Sequence, residues 1–312
     1  MKRLPATLAL LSATVAVGVV LLASTPVTAT LAAEREPIPS PTTSSTTTTT
    51  TTPSTTTTTP TPTAPPEDIG QLVLKAVDSV APGGEVGVLA VDTRTGQPVA
   101  SYNADEPMYT ASVVKLLIAI DLLHTQNWAP DASTSAELER MISYSDDDIA
   151  NSLWVQDGGN SIVTRAASLI GLTGTQPPDD PSQWGEAKMS AQDVVTTYQF
   201  IRNDIPAPAQ DVLLTGMSDA AATAADGFQQ YFGIPDGLPG TTWAIKQGWM
   251  LLMSTTVLNT TGLVSLGPST PYAVAIMTEL PAGTSWATGS NAVTADAAAL
   301  KSAFTAWSGP PR

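Results

Sequence analysis

The stretch MYTASVVKLLIAIDLL, Met108–Leu123, is the most distinctive segment of this chain. Val113, Val114, Leu116, Leu117, Ile118, Ile120, Leu122 and Leu123 leave it almost no polar stripe, and a helix apolar all round is a buried helix. The spacing predicts that helix over Ser112–Thr125. It encloses Lys115, whose ammonium would be poorly solvated there, so burial pushes the lysine toward its neutral amine. Ser112 lies three residues ahead, on the same helical face. A hydroxyl beside a lysine that can lose its proton is what serine–lysine acyl transfer needs. The helix start also offers free N–H groups to a developing oxyanion. The plainer alternative is that Thr110 or Ser112 caps the helix while Lys115 snorkels to the surface. Lysine is scarce, however: of Lys2, Lys75, Lys115, Lys188, Lys246 and Lys301, only Lys115 has a Ser or Thr three positions before it.

Ahead of that helix, Asp68–Val80 has helical spacing and stops at Pro82-Gly83-Gly84. Val86–Val91, a turn at Thr93–Gly96 and Pro98–Tyr102 read as a hairpin. Helices are expected at Ser135–Ile142, Asp146–Val155, Ser161–Ile170, Ala191–Arg202 and Gln210–Met217. Strands are expected at Thr242–Trp249, Ser254–Val264 and Tyr272–Thr278, and a closing helix at Asn291–Trp307. Strands from both ends with helices between them fit an α/β chain of the α+β kind, built on one antiparallel sheet. The first and last helices should cover one face and the central helices the other.

Two further stretches carry polar chemistry. MISYSDDDIANSL, Met141–Leu153, holds Ser145 and Asp147, and reads equally as a helix start capped by Ser145. WAIKQGWM, Trp243–Met250, places Lys246, Gln247, Gly248 and Trp249 on a strand, and reads equally as a strand with a glycine bulge.

The N-terminal part is of another kind. Met1-Lys2-Arg3 precedes an almost wholly apolar run from Leu4 to Leu22, at the boundary between a signal peptide and a membrane anchor. Val27-Thr28-Ala29 is a plausible cleavage site, and the chain beyond it is expected to be exported, outside the cytoplasm. Residues 34–66 are mostly Thr, Pro and Ser, a tether that would reach on the order of 90 Å fully stretched. The expected division is 1–33 leader or anchor, 34–66 linker and 67–312 folded domain. The chain has no cysteine, hence no disulfide and no thiol nucleophile. Its formal charge of −15 argues against a nucleic-acid partner. Membrane contact is expected only through the N-terminal segment, and the folded part is expected to be a monomer. His124, the single histidine, ends the Ser112 helix facing away from Ser112, which disfavours a Ser-His-Asp triad or a zinc site. Asp146–Asp148 lack the spacing of a calcium loop, so no metal and no cofactor are expected.

Ser112-x-x-Lys115, Ser145-Asp146-Asp147 and Lys246-Gln247-Gly248, in that order, resemble the motifs of serine β-lactamases and penicillin-binding D-Ala-D-Ala peptidases. Met141-Ile142, Ala150 and Asn151 also fall where class A β-lactamases carry similar residues. The resemblance implies a β-lactamase/transpeptidase-like fold: an antiparallel sheet flanked by N- and C-terminal helices, with an inserted all-helical lobe. It implies Ser112 as the acylated nucleophile, Lys115 as its base and Ser145 as a proton relay. Lys246 would keep Lys115 short of protons and attract a substrate carboxylate, and the N–H groups of Ser112 and Trp249 would form the oxyanion hole. The implied partner is a peptidoglycan peptide or a β-lactam-like small molecule.

Three departures from that pattern stand out. Asp147 replaces an asparagine that would donate to substrate; a carboxylate cannot, and beside Lys115 it would hold the lysine protonated. Gln247 replaces a hydroxyl residue, with Trp249 and Met250 crowding the adjoining edge. Between Gly171 and Ser190 the chain lacks the omega-loop glutamate that hydrolyses an acyl-enzyme, and Glu186 lies at the far end of that segment. Efficient β-lactamase activity is therefore not expected. The short interval from Ser112 to Ser145 implies a trimmed helical lobe and a more open cleft. WVQDGGN (Trp154–Asn160), FGIPDGL (Phe232–Leu238) and KQGWM (Lys246–Met250) also resemble a group of actinobacterial envelope proteins with this fold. Either an acyl-transfer enzyme or a non-catalytic wall-binding protein with the same cleft fits these residues.

Overall fold

A computed structural model of the protein describes residues 66–267 and 271–306. The expected leader and, up to residue 65, the linker lie outside the described residues, as does Trp307 at the end of the closing helix.

Helix α1 (Pro66–Val80) leads into strand β1 (Glu85–Asp92), which turns back as β2 (Gln97–Tyr102). A two-residue strand β3 (Met108–Tyr109) and a 3-10 turn (Ala111–Val114) precede α2 (Lys115–Thr125). Helices α3 (Ala132–Ser143), α4 (Asp147–Gln156) and α5 (Asn160–Ile170) follow, then a 3-10 turn at Trp184–Glu186 and the short strand β4 (Lys188–Met189). Next come α6 (Ala191–Asn203), α7 (Ala207–Ser218) and one turn of helix, α8 (Ile234–Gly237). Strands β5 (Thr242–Leu251), β6 (Thr255–Ser265) and β7 (Pro271–Pro281) and helix α9 (Trp286–Ala306) complete the chain. The long strands form one antiparallel sheet in the order β2-β1-β7-β6-β5.

Seven of the eight residues of β1 are buried, because both faces of the sheet are covered. Successive strand residues point to opposite faces, and register decides which core each one joins. Val88 opposes Ile276 and Ala90 opposes Val274, and these join the core that contains Val73 and Val77 of α1 and Val293 and Leu300 of α9. Leu89 opposes Ala275 and Val91 opposes Ala273, and these join the helical lobe around α2, α3 and α6. The two-sided packing expected from the sequence is thus what register produces. A buried side chain such as Ile276 costs about 2–5 kcal/mol when cut back to alanine.

Helix α2 is the spine of the lobe, with Lys115 through Leu123 all buried. Its one buried acid, Asp121, is met by a two-pronged contact from Arg165 on α5, at 2.9 Å and 2.5 Å. The expected Ser112–Thr125 helix proves to be two pieces, the 3-10 turn and then α2. Neither hydroxyl caps it: the Thr110 hydroxyl donates instead to the carbonyl of Ala187. The β3–β4 pairing was not expected, since two-residue strands carry no periodicity.

Candidate active site

Four elements meet where the 3-10 turn enters α2. Ser112 sits on that turn, Lys115 begins α2, Ser145 and Asp147 flank the start of α4, and Lys246 projects from β5, the edge strand of the sheet. Edge strand and nucleophile turn come together because residue 248 is glycine: a Cβ there would lie 2.5 Å from the carbonyl oxygen of Thr110. The β5–β6 register runs without a break through Gly248, so this glycine marks close approach and not a bulge. Asn259 fixes the turn from below, donating to the carbonyls of Tyr109 and Thr110.

Backbone conformation aims the two serines. Ala111 has φ 45° and Ser145 φ 50°, both in the left-handed region that non-glycine residues rarely occupy. Such residues persist only when their surroundings over-determine them, and they cluster at functional sites. The cap of α4 is Asp146, whose carboxylate accepts from the N–H groups of Asp148 and Ile149. Ser145 is therefore not the helix cap that the sequence allowed, and its hydroxyl is free to enter the cluster.

Lys115 Nζ lies 2.8 Å from Ser112 Oγ, 2.8 Å from the Ser145 carbonyl, 3.2 Å from Ser145 Oγ and 2.5 Å from Asp147 Oδ1. Lys246 Nζ lies 2.9 Å from Ser145 Oγ and donates also to the carbonyl of Gln247. Both lysines are almost wholly buried. Lys115 is held below the ordinary lysine range, burial being the largest cause, opposed by the negative charge of Asp147. The Asp147 side chain is 55% exposed, which screens its pull. Lys246 is pushed well below the lysine range by burial and then by the charge of Lys115.

Counting hydrogens in this cluster separates the two states of the lysine. Of the four oxygens around Lys115 Nζ, the Ser145 carbonyl and the Asp147 carboxylate can only accept. A neutral amine has two hydrogens, enough for both, and its lone pair is left for the Ser112 hydroxyl proton. An ammonium would donate to a hydroxyl oxygen as well. The same geometry accommodates the base and its conjugate acid, as a group that takes up and returns a proton requires.

Above the cluster lies a cavity of about 340 Å³ lined by Ser112, Asp147, Asn151, Trp184, Asp226 and Trp249, among others. Trp184 lies with its ring 4.8 Å from Lys115 Nζ and donates from its indole N–H to Asn151 Oδ1 at 2.8 Å. The Gly171–Ser190 segment, which lacks the omega-loop glutamate, thus brings an aromatic ring over the candidate base. Glu186 is not among the cavity's lining residues.

Gln247 and Gly248 do not line the cavity. The Gln247 side chain is buried, donating to the carbonyls of Gln230 and Phe232. A substrate contact through Gln247 is therefore corrected: its side chain is buried and its amide is committed to those two carbonyls. Trp249 does reach the cavity wall, its indole N–H on Asp226 Oδ2 and its ring stacked on Phe228. Trp184 and Asp226 were not found from the sequence. His124 is exposed at the end of α2 and packs against Trp128.

The profile of the β-lactamase enzyme family matches residues 71–128, the segment that holds Ser112 and Lys115. A Mycobacterium tuberculosis protein named "Putative lipoprotein LppW" is 34% identical over 212 residues, 66% of this chain and 66% of that protein. The chain thus spans 66% of the length of the curated relatives it matches. Among solved structures, the class A β-lactamase from Mycobacterium abscessus is similar with a TM-score of 0.63 and 21% identity, over 76% of this chain and 99% of that one. A structure of PBP-A as an acyl-enzyme complex with penicillin G is similar with a TM-score of 0.63 and 19% identity, over 77% and 97%.

Proposed function

We propose that this chain, which belongs to the serine β-lactamase and penicillin-binding peptidase superfamily, is an exported serine acyltransferase that forms a long-lived ester at Ser112. The observation that carries the reading is the 2.8 Å contact between Lys115 Nζ and Ser112 Oγ, inside a cluster completed by Ser145 and Lys246. Ser112 Oγ attacks the carbonyl carbon of an amide, and its proton passes to Lys115 Nζ. Ser145 returns a proton to the leaving nitrogen as the C–N bond breaks, which leaves the acyl group esterified to Ser112. The N–H groups of Ser112 and Trp249 receive the oxyanion. The substrate class is a cell-wall peptide or a β-lactam-like amide.

Release of the acyl group needs a water and a base to activate it. Of the two carboxylates lining the cavity, Asp147 is engaged by Lys115 and Asp226 by the Trp249 indole. Trp184 occupies the roof over Lys115. These features support slow hydrolysis, hence a protein that binds β-lactams covalently without destroying them efficiently. The N-terminal segment and the lipoprotein name of a relative support a place in the cell envelope.

The test is intact-mass spectrometry of the full chain after exposure to a neutral serine-directed phosphonate probe and to a penicillin. The expected result is one adduct per chain, lost in Ser112→Ala and in Lys115→Ala. No adduct under conditions that label a control serine hydrolase would overturn the reading. One observation favours a second reading, a non-catalytic peptide-binding cleft: the 2.5 Å pairing of Lys115 with Asp147. In that case a cell-wall peptide binds wild type and Ser112→Ala alike, and neither forms an adduct.

A further inference from the structure

Ser145 closes helix α3 where glycine is the usual residue. The last four carbonyls of a helix have no partner within it, and here they belong to Met141, Ile142, Ser143 and Tyr144. The N–H of Asp146 reaches back to Met141 at 3.1 Å and that of Ser145 to Ile142 at 3.4 Å. This is the pattern of a helix ended by a left-handed residue, most often glycine. Ser145 takes that place at φ 50°, a conformation that its own Cβ opposes.

What holds it there comes from one loop, residues 219–232, between α7 and α8. The Ser143 carbonyl accepts two hydrogens from this loop, from the N–H of Ala221 at 2.9 Å and from Gln230 Nε2 at 2.9 Å. The Tyr144 carbonyl accepts from the N–H of Ala225 at 2.8 Å. With the Ser145 carbonyl on Lys115 Nζ, three successive carbonyls are fixed from outside the helix. Ala221 and Ala225 act through their backbone, whereas Gln230 acts through its side chain. Gln230 is 1% exposed, and its amide also donates to the Ala221 carbonyl at 2.8 Å. Its backbone is anchored separately: its N–H donates to Ala222 at 2.8 Å, and its carbonyl accepts from Gln247. The course of the loop therefore does not depend on the Gln230 amide alone, while the grip on Ser143 does draw on it.

We propose that Gln230 is a positioning residue for the return of the proton. By gripping the Ser143 carbonyl it keeps Ser145 Oγ between Lys115 Nζ at 3.2 Å and Lys246 Nζ at 2.9 Å, and so sets how fast a leaving nitrogen is protonated. A misplacement on the order of 1 Å costs about 100-fold in rate at a reacting group. The proposal rests on the acyl-transfer reading and makes that reaction depend on a residue outside the cavity wall.

Two probes with different leaving groups test it. With penicillin G, the bond from Ser112 Oγ to the carbonyl carbon forms, the lactam C–N bond breaks, and the nitrogen takes a proton from Ser145. With a p-nitrophenyl phosphonate, the Oγ–P bond forms, the P–O bond breaks, and p-nitrophenolate departs with its electron pair and needs no proton. In both reactions the Ser112 proton passes to Lys115. Rates of adduct formation are followed by intact-mass spectrometry on the full chain, and the ratio of the two rates in one protein cancels any unfolded fraction. Gln230→Met, similar in length but without a donor, should lower the penicillin rate on the order of tenfold and the phosphonate rate by less than about twofold. Ser145→Ala should move the ratio further in the same direction. Gln230→Asn, whose amide falls short of the Ser143 carbonyl, should shift the ratio the same way and serves if Gln230→Met does not fold. Gln247→Leu, an equally buried site, should leave the ratio within about twofold of wild type. Equal falls in both rates, an unmoved ratio, or an equal shift in Gln247→Leu would overturn the role of Gln230 while acyl transfer stands. No labelling of wild type by either probe would overturn acyl transfer itself, and the role of Gln230 with it.

Discussion

Nζ of Lys115 lies 2.5 Å from Oδ1 of Asp147, so the anion that touches the candidate base comes from the first residue of α4. Burial pulls this lysine toward its neutral form and Asp147 pulls it back, with burial the larger cause. Whether Ser112 is a nucleophile turns on that balance.

Asp147→Asn removes the opposing charge and keeps the shape. A base works as the neutral amine, so acylation rises with pH through the Lys115 titration. With Asp147 gone the lysine is depressed further, and the rising limb must move to lower pH. Below that limb each unit of movement raises the neutral fraction about tenfold. Adduct formation at Ser112, timed by mass spectrometry from about pH 5 to 10, checks this. An unmoved midpoint would mean that Asp147 does not govern the base.

The lifetime of the adduct depends on how easily water reaches it. Trp184 covers Lys115 and is held by Asn151. Trp184→Ala should open a path for water and shorten the lifetime of the Ser112 ester several-fold, by the loss of water exclusion. Trp184→Phe, which keeps a ring but drops the bond to Asn151, should stay near wild type. The readout is decay of the mass adduct after excess probe is removed. Equal decay in all three proteins would exclude a shielding role.

Ser112 and Lys115 were legible in the sequence because i, i+3 spacing on an all-apolar helix is a local signal. The sheet and its two cores were legible from local signals too: β1 and β7 are continuous apolar runs, the mark of strands covered on both faces. Asp226 and Trp184 carry no such signal, since each reaches the cavity from a loop whose path depends on distant packing. The left-handed backbone at Ala111 and Ser145 was hidden as well, because the residue types do not announce it. Gln247 is a different case. Its burial depends on the carbonyls of Gln230 and Phe232, which distant chain brings to β5 and which leave no mark in the local sequence.

Gln247 accordingly predicts a stability effect and not a binding effect. Its amide donates to two buried carbonyls, those of Gln230 and Phe232. Gln247→Leu leaves both without this donor and should cost about 1–3 kcal/mol. For a domain of this size that is a fall in Tm of roughly 2–4 °C per kcal/mol. The rate of Ser112 acylation should stay within about twofold of wild type, since the side chain is absent from the cavity wall. A large fall in that rate at unchanged Tm would restore the substrate-binding role.

On the far side of the sheet, Asp296 of α9 is fully buried, and neither carboxylate oxygen has a hydrogen-bond partner among the described residues. Burial pushes its pKa up to about 9, helped by the charge of Asp78, while the backbone of Val77 pulls more weakly the other way. The unfolded chain holds this group near the ordinary aspartate value of about 3.9. Between those two values the folded state binds a proton that the unfolded state has released. Stability must therefore fall as pH rises across that window, by about 1.4 kcal/mol per unit for a single group, and level off above about pH 9. Asp296→Asn presents a neutral side chain of the same shape at every pH. It should match wild type near the low end of that window and exceed it increasingly toward the high end. Denaturant unfolding of both proteins at several pH values measures this directly. Parallel stability profiles would show that Asp296 does not take up a proton on folding.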